Sequence, residues 1–155
     1  IHLSDLNKEL DKRGPDVLSK EGVSEEYFFA LCDKYSAWTM PKLLMDQAKL
    51  SGIGNYIKSE VMYAARVDPT IPIADISPLR IARVHEEMHR IPIAALAKKG
   101  MSLRDYALPD GTLGDFQFSL QVYRKKRDPL GNKVEKIQTT DKRTTHWVPC
   151  LQEEG

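Results

Sequence analysis

Two glycines flanking an isoleucine, immediately ahead of an asparagine in Ser51-Gly52-Ile53-Gly54-Asn55, form the segment of this chain best suited to holding an anion. Glycine lets backbone N–H groups converge, a helix N-terminus adds the positive end of a dipole, and an amide side chain such as Asn55 supplies one more donor. That chemistry suits a phosphate. The same residues also suit a tight inter-helix turn with no ligand, each glycine being a candidate for backbone angles that other residues avoid. A second pattern is His85-Glu86-Glu87-Met88-His89, with two imidazoles one helical turn apart and a glutamate between them. In a zinc hydrolase this spacing binds the metal and activates a water. It fits better an ordinary solvated helix face beside Arg83 and Arg90, because only His2, His146 or an acid could give a third ligand and no spacing recommends one.

The third chemical feature is local charge. The chain of 155 residues carries a formal net charge of only +1, yet Lys or Arg stands at 124–127, 133, 136, 142 and 143 against Asp128, Glu135 and Asp141. Acids gather upstream instead, at 5, 9, 11, 21, 25, 26 and 33. This polarity is expected of a module whose C-terminal end faces a polyanion. Its length allows one domain or two small subdomains sharing a core, and 41% hydrophobic with 29% charged residues is a globular composition. No apolar run reaches the length of a membrane span. Cys32 and Cys150 stand far apart, so neither a disulfide framework nor a cysteine metal site is expected. Ile1 to Lys12 has the pattern of an amphipathic helix and not of a secretion signal, and a first residue other than Met is expected of a fragment or a processed chain.

Helical signals position these groups over the first two-thirds. Ser24 followed by Glu25 and Glu26 starts a helix through Tyr35, and Pro41 suits the first turn of a second that ends near Leu50. After the glycine turn the helical period resumes from Tyr56 to Arg66. Ser77-Pro78 starts another helix, which Pro92 is expected to kink or break before Ile93 to Lys99. Ser102 to Asp105 has the form of a capping box. Phe116, Leu120 and Tyr123 keep a helical period, whereas Val134–Thr139 and Thr144–Val148 are rich in β-branched residues around a short polar bend, the signature of a hairpin. The expected fold is mainly α with a C-terminal antiparallel β-hairpin, divided into a helical part over 1–116 and a hairpin subdomain over 117–155.

Several stretches resemble the C-terminal half of the formamidopyrimidine-DNA glycosylase and endonuclease VIII family. Gly14-Pro15-Asp16-Val17-Leu18, the run from Leu44 through Gly52-Ile53-Gly54-Asn55 to Ser59-Glu60, Ser102 to Tyr106, Gly114-Asp115-Phe116, Leu120 to Tyr123 and Arg143-Thr144-Thr145 follow the family order. The resemblance implies a helix-two-turns-helix domain and a finger hairpin, from a bifunctional glycosylase and abasic-site lyase that removes oxidised bases in base excision repair. It implies damaged double-stranded DNA as partner, a monomer, and no small-molecule cofactor. Gly52, Ile53, Gly54 and Asn55 would hold phosphates flanking the lesion, and Arg143, with Lys142 and Thr144 beside it, would reach a phosphate near the extruded nucleotide. We add the basic stretch and Lys58 as expected phosphate contacts. Where the family's finger carries two cysteine pairs, this chain has Leu130, Lys133, Val148 and Leu151, so a zincless finger braced by contacts such as Trp147 and Val148 is expected. The family's proline nucleophile and catalytic glutamate belong to a preceding β-sandwich domain that these residues do not match, so this chain alone is expected to bind without cutting. A transcription-factor-like helix-turn-helix without repair activity is the alternative.

Overall fold

In the computed structural model, which describes residues 14–99 and 120–153, Ser24 opens the first helix as its sequence requires. Its Oγ accepts from the Tyr27 N–H at 3.1 Å, and Glu25 and Glu26 face the dipole end, giving α1 over Glu25–Lys34. The expected helices at 1–12 and 102–105, and Phe116, lie outside the described residues. Thr39 then precedes α2, Met40–Leu44, with Pro41 in its first turn. This helix stops well short of Leu50. Asp46 ends it, because its carbonyl takes the N–H groups of Lys49 and Leu50 while its Oδ1 takes that of Ala48 at 3.0 Å. The resulting turn is flanked by Pro15–Val17, where Val17 N–H donates to Ser51 C=O and Ser51 N–H to Pro15 C=O.

Helix α3, Asn55–Ala65, follows the glycine turn and ends at Arg66 in the left-handed conformation. The proline-rich connection contains a 3₁₀ turn, Ile73–Asp75, tied back by Ile73 N–H to Trp38 C=O at 2.8 Å. Helix α4 then runs unbroken over Pro78–Lys99, started by Ser77, whose Oγ accepts from Arg80 N–H. Pro92 does not end it. Proline removes one backbone donor, but Val84 and Met88 before it and Ala95 after it are all buried, and α3 packs along this helix. Tertiary packing therefore outweighs the local defect. The core is built from Phe28, Met40, Leu43, Leu44, Ile57, Met62, Val84 and Met88, so all four helices contribute. Cys32 lies within it, and burial, helped by Asp33, pushes its thiol up to about 12, leaving it inert as a nucleophile.

The two histidines of α4 are structural and do not form a solvated face. His85 Nε2 donates to Val23 C=O at 2.7 Å and His89 Nε2 accepts from Val23 N–H at 2.9 Å, so the pair clamps both backbone groups of one residue at the head of α1. His89 must carry its proton on Nδ1, which faces His85 C=O at 2.8 Å. No cluster of three or more potential ligands forms among the described residues. The zinc-hydrolase reading is thereby corrected.

The C-terminal part is a finger laid on α3. Leu120 to Arg124 form a turn closed by Lys125 N–H to Val122 C=O, not the helical continuation their spacing predicts. β1, Glu135–Gln138, pairs antiparallel with β2, Thr144–Trp147, in the register Glu135 to Trp147 through Gln138 to Thr144. A single helical turn, α5, Pro149–Gln152, follows. Val122, Val134 and Val148 bury themselves against Tyr63 of α3, with Leu151 beside them, making a second small core.

Candidate nucleic-acid interface

Helix α3 is buried almost all round, polar residues included. Lys58, Ser59 and Glu60 are 0%, 0% and 4% exposed, which is tolerable only if each is paired. All three reach into the finger. Lys58 Nζ lies 2.7 Å from Asp141 Oδ2 in the hairpin bend. Ser59 Oγ accepts from His146 N–H on β2. Glu60 takes three backbone N–H groups, Gln121 on Oε1 and Val122 and Tyr123 on Oε2, each at 2.8 to 2.9 Å. One turn further on, Tyr63 OH donates to Asp128 Oδ2. Gln152 completes the seam, its Oε1 accepting from Val148 N–H and its Nε2 donating to Val67 C=O. The helix that leaves the glycine turn is thus the platform on which the finger is set.

This seam brings the turn and the bend together. Asn55 Nδ2 donates to Thr144 C=O at 3.0 Å, across 89 residues of sequence, and Thr144 follows Arg143 directly. Asn55 is therefore not the wholly free donor that its sequence context suggests; one amide hydrogen is engaged and one remains. Arg143 and Lys142 are exposed, while the Arg143 carbonyl is fixed by Thr139 N–H at 3.0 Å. The bend is a three-residue loop with Lys142 at φ 66, a left-handed position that closes such hairpins. Asp141 braces it from inside, accepting from Thr139 Oγ1 as well as from Lys58, and Thr140 Oγ1 meets Thr39 Oγ1 at the head of α2.

The two glycines turn out to be different. Gly52 has φ 91, and a Cβ there would come within 2.6 Å of Asp16 Oδ1, so the fold itself requires glycine. Gly54 does not need it. As N-cap of α3 it has φ −89, and a Cβ would meet nothing within 4 Å. The expectation of unusual angles at both is corrected for Gly54. Nothing in the fold excludes a side chain here, and no side chain caps the helix N-terminus that Gly54 leads. A bare Cα leaves the backbone open to close approach by a ligand, and glycine is also a favoured N-cap residue in its own right.

Lys58 is the clearest departure from expectation. It is not a surface lysine facing a phosphate; burial pushes its pKa down, the hydrogen bond and charge of Asp141 oppose this, and the nearby Arg143 adds to the depression. Ile53 is likewise buried, so only its backbone can meet a ligand. Gly52, Gly54, Asn55, Arg143, Lys142 and Thr144 are placed on the turn and the bend that the Asn55 to Thr144 bond joins. Sequence reasoning missed Ser59, Glu60, Asp128 and Asp141 as the residues that hold the site. The run Lys58-Ser59-Glu60, interrupting Ile57 and Val61-Met62-Tyr63 in a helix otherwise apolar on every side, is the signal that could have found three of the seam's members.

At the positions that the resemblance matches to the family's two cysteine pairs, the finger holds Leu130, Lys133, Val148 and Leu151, and none can act as a thiolate or imidazole ligand. The residues do not fit a zinc. Their space is organised otherwise: Val148 and Leu151 join the second core, Leu130 is 71% exposed, and Asp128 ties the loop by accepting from Leu130 N–H, Asn132 N–H and Asn132 Nδ2. Burial pushes the Asp128 carboxyl up, but the hydrogen bonds from Asn132, Tyr63 and Leu130 outweigh it and hold it below the ordinary range.

Fold and site together define a helix-two-turns-helix module carrying a β-hairpin finger, with an uncapped helix N-terminus beside an exposed arginine. Residues 14–107 match the formamidopyrimidine-DNA glycosylase H2TH domain and residues 109–153 the formamidopyrimidine-DNA glycosylase C-terminal domain. The chain belongs to the formamidopyrimidine-DNA glycosylase family. It is 37% identical over 152 residues to the formamidopyrimidine-DNA glycosylase of Pseudomonas paraeruginosa, covering 96% of this chain and 56% of that protein. With that of an Exiguobacterium species it shares 32% over 136 residues, 86% of this chain and 49% of the relative. It superposes on the Lactococcus lactis enzyme in complex with DNA containing an abasic site with a TM-score of 0.81 at 27% identity, covering 99% of this chain and 57% of that one. The chain therefore spans about half the length of the relatives it matches.

Proposed function

We propose that this chain is the duplex-gripping half of a bifunctional DNA glycosylase and abasic-site lyase, and that its role is to hold the phosphates on either side of an extruded damaged nucleotide. The Asn55 to Thr144 hydrogen bond carries the reading, since it sets the glycine turn and the Arg143 bend side by side on one surface. The Lactococcus lactis relatives bound to abasic-site DNA and to DNA containing a formamidopyrimidine lesion support damaged duplex DNA as the ligand. Extrusion of a base costs a few kcal/mol, and clamps on the flanking phosphates offset it. Because phosphates carry no sequence information, binding is expected to be salt-sensitive and nearly sequence-neutral. Bond cleavage needs an amine that attacks the sugar C1′ and an acid that partners it; by resemblance these belong to the other half of the family's proteins, and we assign the chemistry there.

Asn55→Ala and Arg143→Ala are each expected to weaken binding to an abasic-site duplex by about 10- to 100-fold, the worth of one or two charge-assisted phosphate contacts, as read by a fluorescence anisotropy titration. Unchanged affinity in both variants sinks the assignment. Borohydride trapping on abasic DNA, with this chain and with a full-length protein containing it, tests the division of labour. An adduct from the longer protein alone is the expected result.

Gly54→Ala separates fold from function. Since φ −89 suits alanine and the Cβ position is open, the melting temperature is expected to fall only by the small cost of alanine for glycine at an N-cap, whereas duplex affinity falls by about 10-fold as the methyl keeps a phosphate off the α3 amides. Undiminished affinity in a stable Gly54→Ala protein means that no ligand approaches this turn closely.

A further inference from the structure

The finger carries a second concentration of positive charge away from its bend. A groove of about 650 Å³ is walled by the four consecutive cations at 124–127 and by Lys133 and Lys136 of the facing segment, with His146, the strand partner of Lys136, also lining it. No carboxylate lines this groove among the described residues; Glu135, outside it, pairs only loosely with Lys133 at 3.9 Å. Arg127 ties the loop ahead of β1 by donating to Gly131 C=O at 2.8 Å, and the like charges gathered around it repel one another.

Two features mark the groove as more than a solvated face. Arg124 holds φ 59 in the turn closed by Lys125 N–H and Val122 C=O, a conformation that favours glycine and strains any other side chain. Its guanidinium lies 5.3 Å over the Tyr123 ring, and Tyr123 in turn meets the ring of His146, which lines the groove, at 5.1 Å. His146 is 7% exposed and its Nδ1 has no hydrogen-bond partner among the described residues. Burial, then Lys136, Arg124 and Lys58, push its pKa down.

We propose that this groove is a second subsite for the DNA sugar-phosphate backbone, engaging the duplex beyond the phosphates held by the glycine turn and Arg143. The inference rests on the duplex-gripping reading and extends it. Lys136 and His146 stand two residues down the hairpin from the Gln138 to Thr144 pair, roughly 7 Å along the strands. At 3.4 Å of axis per nucleotide, a continuous duplex reaches both places within a few base pairs. The subsite adds affinity without choosing a lesion, because it lies away from the extruded nucleotide and meets only backbone.

The test is the salt dependence of binding to an abasic-site duplex and to an undamaged duplex of the same sequence. Each lost phosphate contact is expected to reduce the slope of log K against log salt by about 0.9. Arg124→Gly, which relieves the left-handed strain, and Lys136→Gln, on an exposed strand position, are each expected to flatten the slope by about that amount. Both should leave the unfolding midpoint close to the parent's and the preference for abasic over undamaged DNA unchanged. His146 ring resonances should shift on duplex addition to the parent protein. Slopes unchanged in both variants overturn the subsite while leaving the Asn55 and Arg143 site standing, whereas a parent chain with no duplex affinity at low salt overturns the functional reading itself. A loss of lesion preference in either variant also overturns the proposal, because it would place the groove at the damaged nucleotide.

Discussion

Lys58→Met is expected to destabilise the protein by about 3–5 kcal/mol, the loss found when one partner of a buried ion pair is removed. Methionine matches lysine closely in length and fills the same channel, so packing alone is nearly preserved. What changes is Asp141, whose side chain is 3% exposed and would keep, among the described residues, the Thr139 hydroxyl as its partner. An uncompensated carboxylate in the hairpin bend must then pull the bend open toward water. The melting temperature should fall by on the order of 10 °C, and duplex affinity should fall with it because Arg143 follows two residues after Asp141. Replacing both partners, as in Lys58→Met with Asp141→Leu, should recover most of the stability, since a buried pair exchanged for apolar side chains is often close to neutral. Chemical denaturation of the single and double variants reads the coupling directly. A single substitution costing under about 1 kcal/mol, the range of an exposed pair, means that Lys58 is not buried against Asp141 in solution.

That lysine also shows how far the sequence could be read. Local signals were reliable where their physics is local. Ser24 capping Tyr27, Ser77 ahead of Pro78, and the β-branched strands around a polar bend all became what their neighbours dictate. The glycine turn and the Arg143 bend were recognised as separate pieces, and the structure adds the bond from Asn55 to Thr144 that joins them. Errors fell where a distant contact decides. Pro92 stays inside α4 because burial on both of its sides outweighs one missing donor, and the spacing of Leu120 and Tyr123 mimics a helix although Glu60, some 60 residues away, gathers their backbone into a turn. His85 and His89 satisfy a metal-site pattern while binding the backbone of Val23, which no short motif can reveal. Lys58 looked like surface because its partner stands 83 residues downstream. A buried polar residue is legible only once its partner's position is known.

Glu60→Gln tests this last point, because the substitution alters charge and hydrogen-bond sense at nearly constant shape. Three backbone N–H groups fall on the two oxygens of Glu60, an arrangement that a carboxylate satisfies and a protonated acid or an amide does not. Burial raises the pKa of Glu60, while the Gln121, Val122 and Tyr123 amides and then Lys125 work against that rise. Were burial to prevail at neutral pH, the protonated group would already resemble glutamine and the substitution would be nearly silent. The geometry predicts the opposite. In the variant, the amide nitrogen would face either the Gln121 N–H or those of Val122 and Tyr123, leaving at least one buried donor against another donor, at about 1–3 kcal/mol for each group left unpaired. With the lost charge assistance of the remaining bonds, the expected destabilisation is about 3–5 kcal/mol, measured by urea unfolding at neutral pH. The turn freed by this change carries Tyr123 and Arg124, so duplex affinity should weaken even though Asn55 and Arg143 are untouched. Stability within about 0.5 kcal/mol of the parent, the range of an ordinary surface substitution, would show that the acid is protonated in the folded chain and that the three amides do not bind an anion.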